Sequence, residues 1–363
     1  MIHVFIGTKA QFIKMAPILQ ELQKRGKSFN LIDAGQHAAL TGDLLRQFGI
    51  GEPDVLLRRE RSNIKTVPQA LAWSMRHLLS ILFTPRRNFG RIFGNEKGIC
   101  LIHGDTLTTL ISLLYAKRCG LFVAHVEAGL RSFDLLDPFP EEIIRRIAMH
   151  SSDLLFAPSD SAFQNLIKMG YERKAVLIGA NTGLDSVRYA ASRMREENPC
   201  RRPYAVMTLH RVETLFSHTR LKTVVEIIRS AAQERAMVFV LHEPTRNQLS
   251  RTGLLDEILR IDNVTLSPLL SYLEFIGLVA GADYVITDGG SIQEECCYLN
   301  KPCMVLRART ERNEGIGENA LLSEFDMDRI HQFLRTFHTL RRRNAEDSLQ
   351  PSALIVDRIL DYA

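Results

Sequence analysis

A chain of 363 residues, 45% apolar and 24% charged, is too long for one ordinary domain and is composed like a soluble globular protein. Its formal charge of +5 is modest, and the basic stretches Arg58-Arg59-Glu60-Arg61 and Arg86-Arg87 carry no interleaved aromatics. They read as solvated surface, so no nucleic-acid partner is expected. No apolar run reaches the ~18 residues of a membrane span, and Met1-Ile2-His3-Val4-Phe5-Ile6-Gly7 reads as a strand without the flanks of a signal peptide. A cytoplasmic protein with no membrane partner is expected.

In chain order, short β-branched runs at 2–6, 29–33, 99–102, 121–126 and 153–157 alternate with amphipathic stretches at 12–25, 108–119 and 160–169. The alternation then repeats, with strand-like runs at 204–209, 237–241, 263–266, 284–287 and 303–306 and helical stretches at 219–234 and 271–280. Strand–helix alternation predicts parallel sheets covered on both faces, and continuously apolar runs such as Ala205-Val206-Met207 suit that burial. The fold class is α/β, two Rossmann-like domains facing across a cleft. The first spans 1–178, with a C-terminal helix at 350–363 packing back on it, and the second spans 179–349. Gly179-Ala180-Asn181-Thr182-Gly183 reads as the hinge, and Asn198-Pro199-Cys200-Arg201-Arg202-Pro203 leads into the second sheet.

The strand ends carry the chemistry. In open parallel sheets, ligands bind beyond the carboxyl ends of the strands. Three such ends each deliver a carboxylate: His103-Gly104-Asp105-Thr106, His125-Val126-Glu127-Ala128-Gly129-Leu130-Arg131 and Pro138-Phe139-Pro140-Glu141-Glu142. Convergent carboxylates point to proton transfer on a substrate. The first loop, Gly7-Thr8-Lys9-Ala10-Gln11-Phe12-Ile13-Lys14, opens a helix without a dinucleotide or P-loop fingerprint. Its backbone N–H groups favour an anion, with Lys9 and Lys14 adding charge. Lys14 reads equally well as an exposed helix residue.

In the second half, Thr208-Leu209-His210-Arg211-Val212 ends a strand with a proton-exchanging imidazole and a phosphate-gripping guanidinium. In Thr287-Asp288-Gly289-Gly290-Ser291-Ile292-Gln293-Glu294-Glu295, Gly289 and Gly290 let backbone approach a diphosphate. Ser291 caps the next helix or donates to the ligand, and Glu294 or Glu295 can accept from ribose hydroxyls. The plainer reading is a capping turn. Thr310-Glu311-Arg312-Asn313 supplies a further cation. Cys100, Cys119, Cys200, Cys296, Cys297 and Cys303 show no metal-ligand spacing, so neither zinc nor disulfides are expected, and Cys296 and Cys297 read as buried small residues. His37 and His242 read equally as effector-site or ordinary polar residues.

These motifs, with Ile13-Lys14-Met15-Ala16-Pro17, Gly35-Gln36-His37, Pro140-Glu141-Glu142, Gln293-Glu294-Glu295 and Thr310-Glu311-Arg312, resemble the non-hydrolysing UDP-N-acetylglucosamine 2-epimerases over nearly the full length. The resemblance implies a fold like that of GT-B glycosyltransferases, a homodimer, a UDP-amino-sugar substrate, and neither metal nor redox cofactor. It also implies inversion at C2 by anti-elimination of UDP and re-addition to a 2-acetamidoglucal. Carried over residue by residue, it assigns catalysis to Lys14, Asp105, Glu127, Glu141 and His210. It assigns nucleotide binding to Arg211, Gly290 and Glu295, with Lys9, Gly289, Ser291 and Arg312 beside them.

Four positions depart from that pattern. Lys9 and Gln11 replace an Arg and an acid, Val212 replaces a second Arg, and the loop serine stands at 291 instead of 289. These changes touch diphosphate handling and leave open a modified UDP-acetamido sugar as substrate. Three other readings stand beside the epimerase: a hydrolysing epimerase releasing UDP and N-acetylmannosamine, a relict UDP-sugar-binding homologue, and a glycosyltransferase needing an acceptor.

Overall fold

The strands and helices follow from side-chain pattern and capping. The structure, a computed structural model, describes residues 1–36, 38–58, 67–135, 139–193, 203–310, 312, 314–342 and 348–362. His37, Arg59-Glu60-Arg61, Pro138, Asn198 through Arg202, Glu311 and Asn313 lie outside the described residues. The chain divides into two compact units, one of Met1–Ser186 with Ser348–Ala363, the other of Val187–Asp347. The division falls inside the helix Gly183–Ser192, and Gly179 through Gly183 belongs to the first unit.

The first unit holds seven strands: β1 (Ile2–Ile6), β2 (Phe29–Asp33), β3 (Val55–Leu56), β4 (Ile99–His103), β5 (Phe122–Val126), β6 (Leu154–Ala157) and β7 (Ala175–Leu177). All pair in parallel, in the order β3-β2-β1-β4-β5-β6-β7. The second unit holds β8 (Tyr204–Leu209), β9 (Ala236–Leu241), β10 (Val264–Ser267), β11 (Val285–Thr287), β12 (Cys303–Val305) and β13 (Ala320–Leu322), ordered β10-β9-β8-β11-β12-β13. β3, β7 and β13 are short strands at the sheet edges and only partly buried, so no continuous apolar run marks them in sequence. β1, β4 and β8 are buried along their whole lengths, as strands covered on both faces must be.

In both sheets the strand order reverses beside the first strand, between β1 and β4 and between β8 and β11. Such a reversal opens a crevice at the carboxyl ends. The helices that leave those ends are well capped. Thr8 and Thr106 form capping boxes with Gln11 and Thr109 for the helices Lys9–Lys24 and Leu107–Arg118. The C-terminal helix Pro351–Leu360 packs on Lys9–Lys24 in the first unit, and the Ser352 N–H donates to Asp185 at 2.9 Å.

Candidate active site

Each sheet carries its own constellation at its reversal point. In the first unit, Glu127 follows β5 and is the hub. Its Oε1 accepts from Lys14 Nζ at 2.6 Å and from Asn181 Nδ2 at 2.6 Å, while His103 Nε2 lies 3.4 Å from Oε2. Lys14 is 8% exposed, so the exposed-helix reading of this lysine is overturned: it points inward to a carboxylate. Glu127 also holds φ +66°, a left-handed conformation that costs a non-glycine residue ~1–3 kcal/mol and tends to persist at functional sites.

Asp105 follows β4, and its Oδ2 pairs with Arg145 at 2.6 Å. Burial raises the Asp105 pKa; Arg145 pulls it down, and the negative charges of Glu127 and Glu141 push it up again, leaving it above the usual carboxylate range. Glu127 and Glu141 therefore both sit within electrostatic reach of Asp105. Glu141 and Glu142 open the helix Glu141–Ser151 instead of ending a strand. This corrects the third carboxylate's origin: the acids sit at a helix N-terminus, where the macrodipole favours negative charge.

The two glutamates part company. Glu141 has a buried Oε2 without a hydrogen-bond partner among the described residues. Glu142 is fully buried and bonded to Arg131 Nε, to the Ser132 N–H at 3.1 Å and to Arg145 at 3.4 Å. Burial pushes the Glu142 pKa up, but the Arg131 and Ser132 hydrogen bonds and the two arginine charges outweigh it, so it lies below the usual range. Glu142 is thus an ionised strut that holds Arg145 against Asp105. Arg145 and Asn181 were missed in sequence. Arg145 stands four residues after Glu141, a helical pairing distance that could have flagged it, whereas Asn181 lay in a presumed hinge and gave no signal.

Gln11, which is 2% exposed, has become structural. Its Nε2 lies 2.8 Å from His103 O, 2.9 Å from Thr106 Oγ1 and 3.1 Å from Thr109 Oγ1, and its Oε1 accepts from the Thr8 N–H at 3.2 Å. Lys9 is half-buried in the same helix's first turn. A Cβ on Gly7 would meet Thr108 Oγ1 at 2.3 Å, so only glycine lets β1 pass this close to the neighbouring helix.

In the second unit, buried Asp288 anchors the constellation. Its carboxylate accepts from the backbone N–H groups of His210 and Arg211, each at 3.0 Å, and stands 3.3 Å from His210 Nδ1. That leaves the far ring nitrogen, Nε2, outside the pairing and orients the ring. A Cβ on Gly289 would meet His210 Cε1 at 2.7 Å, so glycine is required to seat the imidazole. The rings of His210 and His242 lie 5.4 Å apart.

Three expectations for the glycine loop change, the first being that the Gly289 N–H is already donated to Thr287 Oγ1 at 3.0 Å. Gly289, not Ser291, is the N-cap of the helix Gly290–Tyr298, and it makes no side-chain cap; Ser291 is one residue into the helix and exposed. Glu294 is taken by Arg312 at 2.5 Å and Tyr298 at 2.9 Å. Glu295 is half-buried beside Tyr272, whose pKa is raised well above the ordinary value by burial and the charges of Glu295 and Glu294. Arg211 is partly exposed, 3.7 Å from Glu213, and Gly290 begins the helix. Cys296 and Cys297 are buried free thiols, and among the described residues no metal-binding cluster of His, Cys, Asp or Glu occurs.

Two Rossmann-like units with acid/base groups at one switch point and an Asp–His–Arg–glycine cluster at the other define an α/β enzyme of GT-B-like class. The chain belongs to the UDP-N-acetylglucosamine 2-epimerase family, whose model matches residues 20–351. It is 30% identical over 343 residues to a UDP-N-acetylglucosamine 2-epimerase of Methanococcus maripaludis, covering 91% of this chain and 89% of that one. It is 32% identical to a Pseudomonas aeruginosa UDP-2,3-diacetamido-2,3-dideoxy-D-glucuronate 2-epimerase, with 88% of each chain covered. The crystal structure of the Methanocaldococcus jannaschii UDP-GlcNAc 2-epimerase in complex with UDP-GlcNAc and UDP is similar at a TM-score of 0.80 and 28% identity, over 99% of both chains.

Proposed function

We propose that this chain inverts C2 of a UDP-N-acetylhexosamine, converting UDP-GlcNAc to UDP-ManNAc or acting on a modified analogue. The observation that carries the reading is the group formed by Lys14, Asp105, Glu127 and Glu141 at the carboxyl end of the first sheet. The C2 hydrogen has no neighbouring ketone to acidify it. Cleavage of the C1–O bond must therefore develop positive charge as a base takes the C2 proton, leaving a C1=C2 double bond and free UDP. One carboxylate stabilises that charge and another takes the proton. A third group returns a proton to the opposite face of C2 as a UDP oxygen adds back to C1.

His210, oriented by Asp288, and Arg211 meet the negative charge that grows on the departing diphosphate. Gly290 offers a backbone N–H at the helix start, the Gly289 N–H being donated to Thr287 Oγ1 at 3.0 Å, with Lys9 and the Glu294-paired Arg312 as further cations. The family's relatives support a substrate of this kind, one acting on UDP-GlcNAc and another on a 2,3-diacetamido uronate. The chemistry needs no redox cofactor.

The test is proton NMR of the purified protein with each of those two UDP-sugars in heavy water. Epimerisation by elimination places deuterium at C2 of recovered sugar and keeps UDP attached. Unlabelled C2 in the product, free N-acetylmannosamine with stoichiometric UDP, or binding without turnover would each overturn the reading. A cytoplasmic homodimer is part of the proposal. Leu71, Met75, Leu79 and Leu82, spaced four, four and three along the helix Val67–Phe83, form an exposed apolar stripe that suits a second copy. Sedimentation velocity showing only monomer at all concentrations removes that part.

A further inference from the structure

A second, basic cavity lies in the second unit, at the opposite end of its sheet from His210 and Gly289. It has a volume of about 550 Å³ and is lined by residues that precede β9, β11 and β12, among them Arg235, Asp283 and Lys301, together with Phe337, His338 and Arg341 after the helix Met327–Thr336. That volume is within the range of small-ligand pockets. Sheet reversal explains the constellation at the carboxyl ends and says nothing about this one, so the cavity belongs to a different part of the fold.

Its charge is unbalanced. Asp283 is engaged by Arg235 Nε at 2.7 Å, which neutralises one cation. Lys301 is half-buried, and its Nζ donates to the Ala282 carbonyl at 3.0 Å. Burial lowers the Lys301 pKa, Asp283 raises it, and the nearby positive charge of Arg341 lowers it again. Half-buried Lys301 and exposed Arg341 thus bring like charge to one cavity whose single carboxylate is already bridged by Arg235. The neighbouring Arg342 is instead paired with Glu318 at 3.6 Å. The rest of the lining is mixed: Asn300 and His338 are polar, and Ala282, Leu299, Pro302 and the ring of Phe337 supply an apolar part of the wall. A phosphoryl group is an anion that an ammonium point charge and a planar guanidinium accept, and the apolar part of the wall takes an organic body attached to it.

We propose that this cavity is a second binding site, for a small organic phosphate whose phosphoryl group is held by Lys301 and Arg341 and whose apolar part lies against Phe337, Leu299 and Pro302. Binding there needs no chemistry at the first sheet and is independent of the reaction proposed above.

The test is isothermal titration of the whole protein with phenyl phosphate and, separately, inorganic phosphate, using wild type, Arg341→Gln, Lys301→Gln and Arg211→Gln. Phenyl phosphate binding tighter than inorganic phosphate, and weakened tenfold or more by Arg341→Gln and Lys301→Gln, supports the site. Equal affinity for the two probes removes the apolar wall and overturns the organic-phosphate assignment. The absence of saturable binding, or a loss in Arg211→Gln with no loss in Arg341→Gln, overturns the site itself. Arg341 is exposed, so its replacement tests binding even if Lys301→Gln fails to fold.

Discussion

Replacing Gln11 by Ala should destabilise the first unit by about 3 kcal/mol and slow turnover. The side chain is 2% exposed and ties the first turn of the helix Lys9–Lys24 to the loop that presents Asp105. Its amide has two hydrogens, so of the contacts at 2.8, 2.9 and 3.1 Å to His103 O, Thr106 Oγ1 and Thr109 Oγ1, two are made at any instant. A third bond comes from the Thr8 N–H to its Oε1. At roughly 1 kcal/mol net for each buried bond, their loss totals about 3 kcal/mol. For a unit of this size that lowers the melting temperature by roughly 6–12 °C.

Gln11→Glu separates the roles. A carboxylate keeps the bond from Thr8 but cannot donate to His103 O, and a threonine hydroxyl that turns towards it must leave another partner. Its cost should be larger than that of alanine, above about 3 kcal/mol, because it buries a charge facing a carbonyl oxygen. Urea denaturation followed by circular dichroism measures both variants, and kcat/KM for the C2 exchange reports the Asp105 loop. An Ala variant within about 0.5 kcal/mol of wild type, with unchanged turnover, refutes the reasoning.

Arg145→Gln removes the cation that pulls the Asp105 pKa down, so that pKa must rise further. If Asp105 works as a carboxylate, the acidic limb of the kcat/KM profile moves to higher pH; a limb that stays in place rules out its ionised form as the working one. Gly289→Ala puts a methyl 2.7 Å from His210 Cε1 and must displace the ring. Misplacement of a reacting group on the order of 1 Å costs roughly 10²-fold in rate, so turnover should collapse while the thermal midpoint changes little; wild-type kinetics would count against His210. Burial holds the pKa values of His77 and His125 down at about 4, from 6.5. Their stabilising contribution is present above pH 6.5 and is lost as pH falls towards 4, because the unfolded chain takes up the protons first. Each is worth about 3 kcal/mol at most, so unfolding free energy should drop over that window, and a flat profile contradicts the assignment.

The strand–helix alternation was written in side-chain pattern, since strands buried on both faces must be apolar throughout. Ten of the thirteen strands were legible this way, and three short, partly buried edge strands were not. The carboxylates Asp105 and Glu127 were legible as strand-end residues because the crevice of a parallel sheet lies there by geometry. What local pattern cannot carry is partnership across the fold. Lys14 and Glu127 are 113 residues apart and Asn181 and Glu127 are 54 apart, so no spacing rule joins them; only the strand order β1-β4-β5-β6-β7 does. Packing across the fold also made Glu142 a strut and buried Lys14, and the helix after β11 begins at Gly290, with Gly289 rather than Ser291 at its cap. Sequence determines which residues are apolar, charged or turn-forming. Tertiary structure alone decides which charges are desolvated together, because burial and pairing are properties of distance in space rather than along the chain.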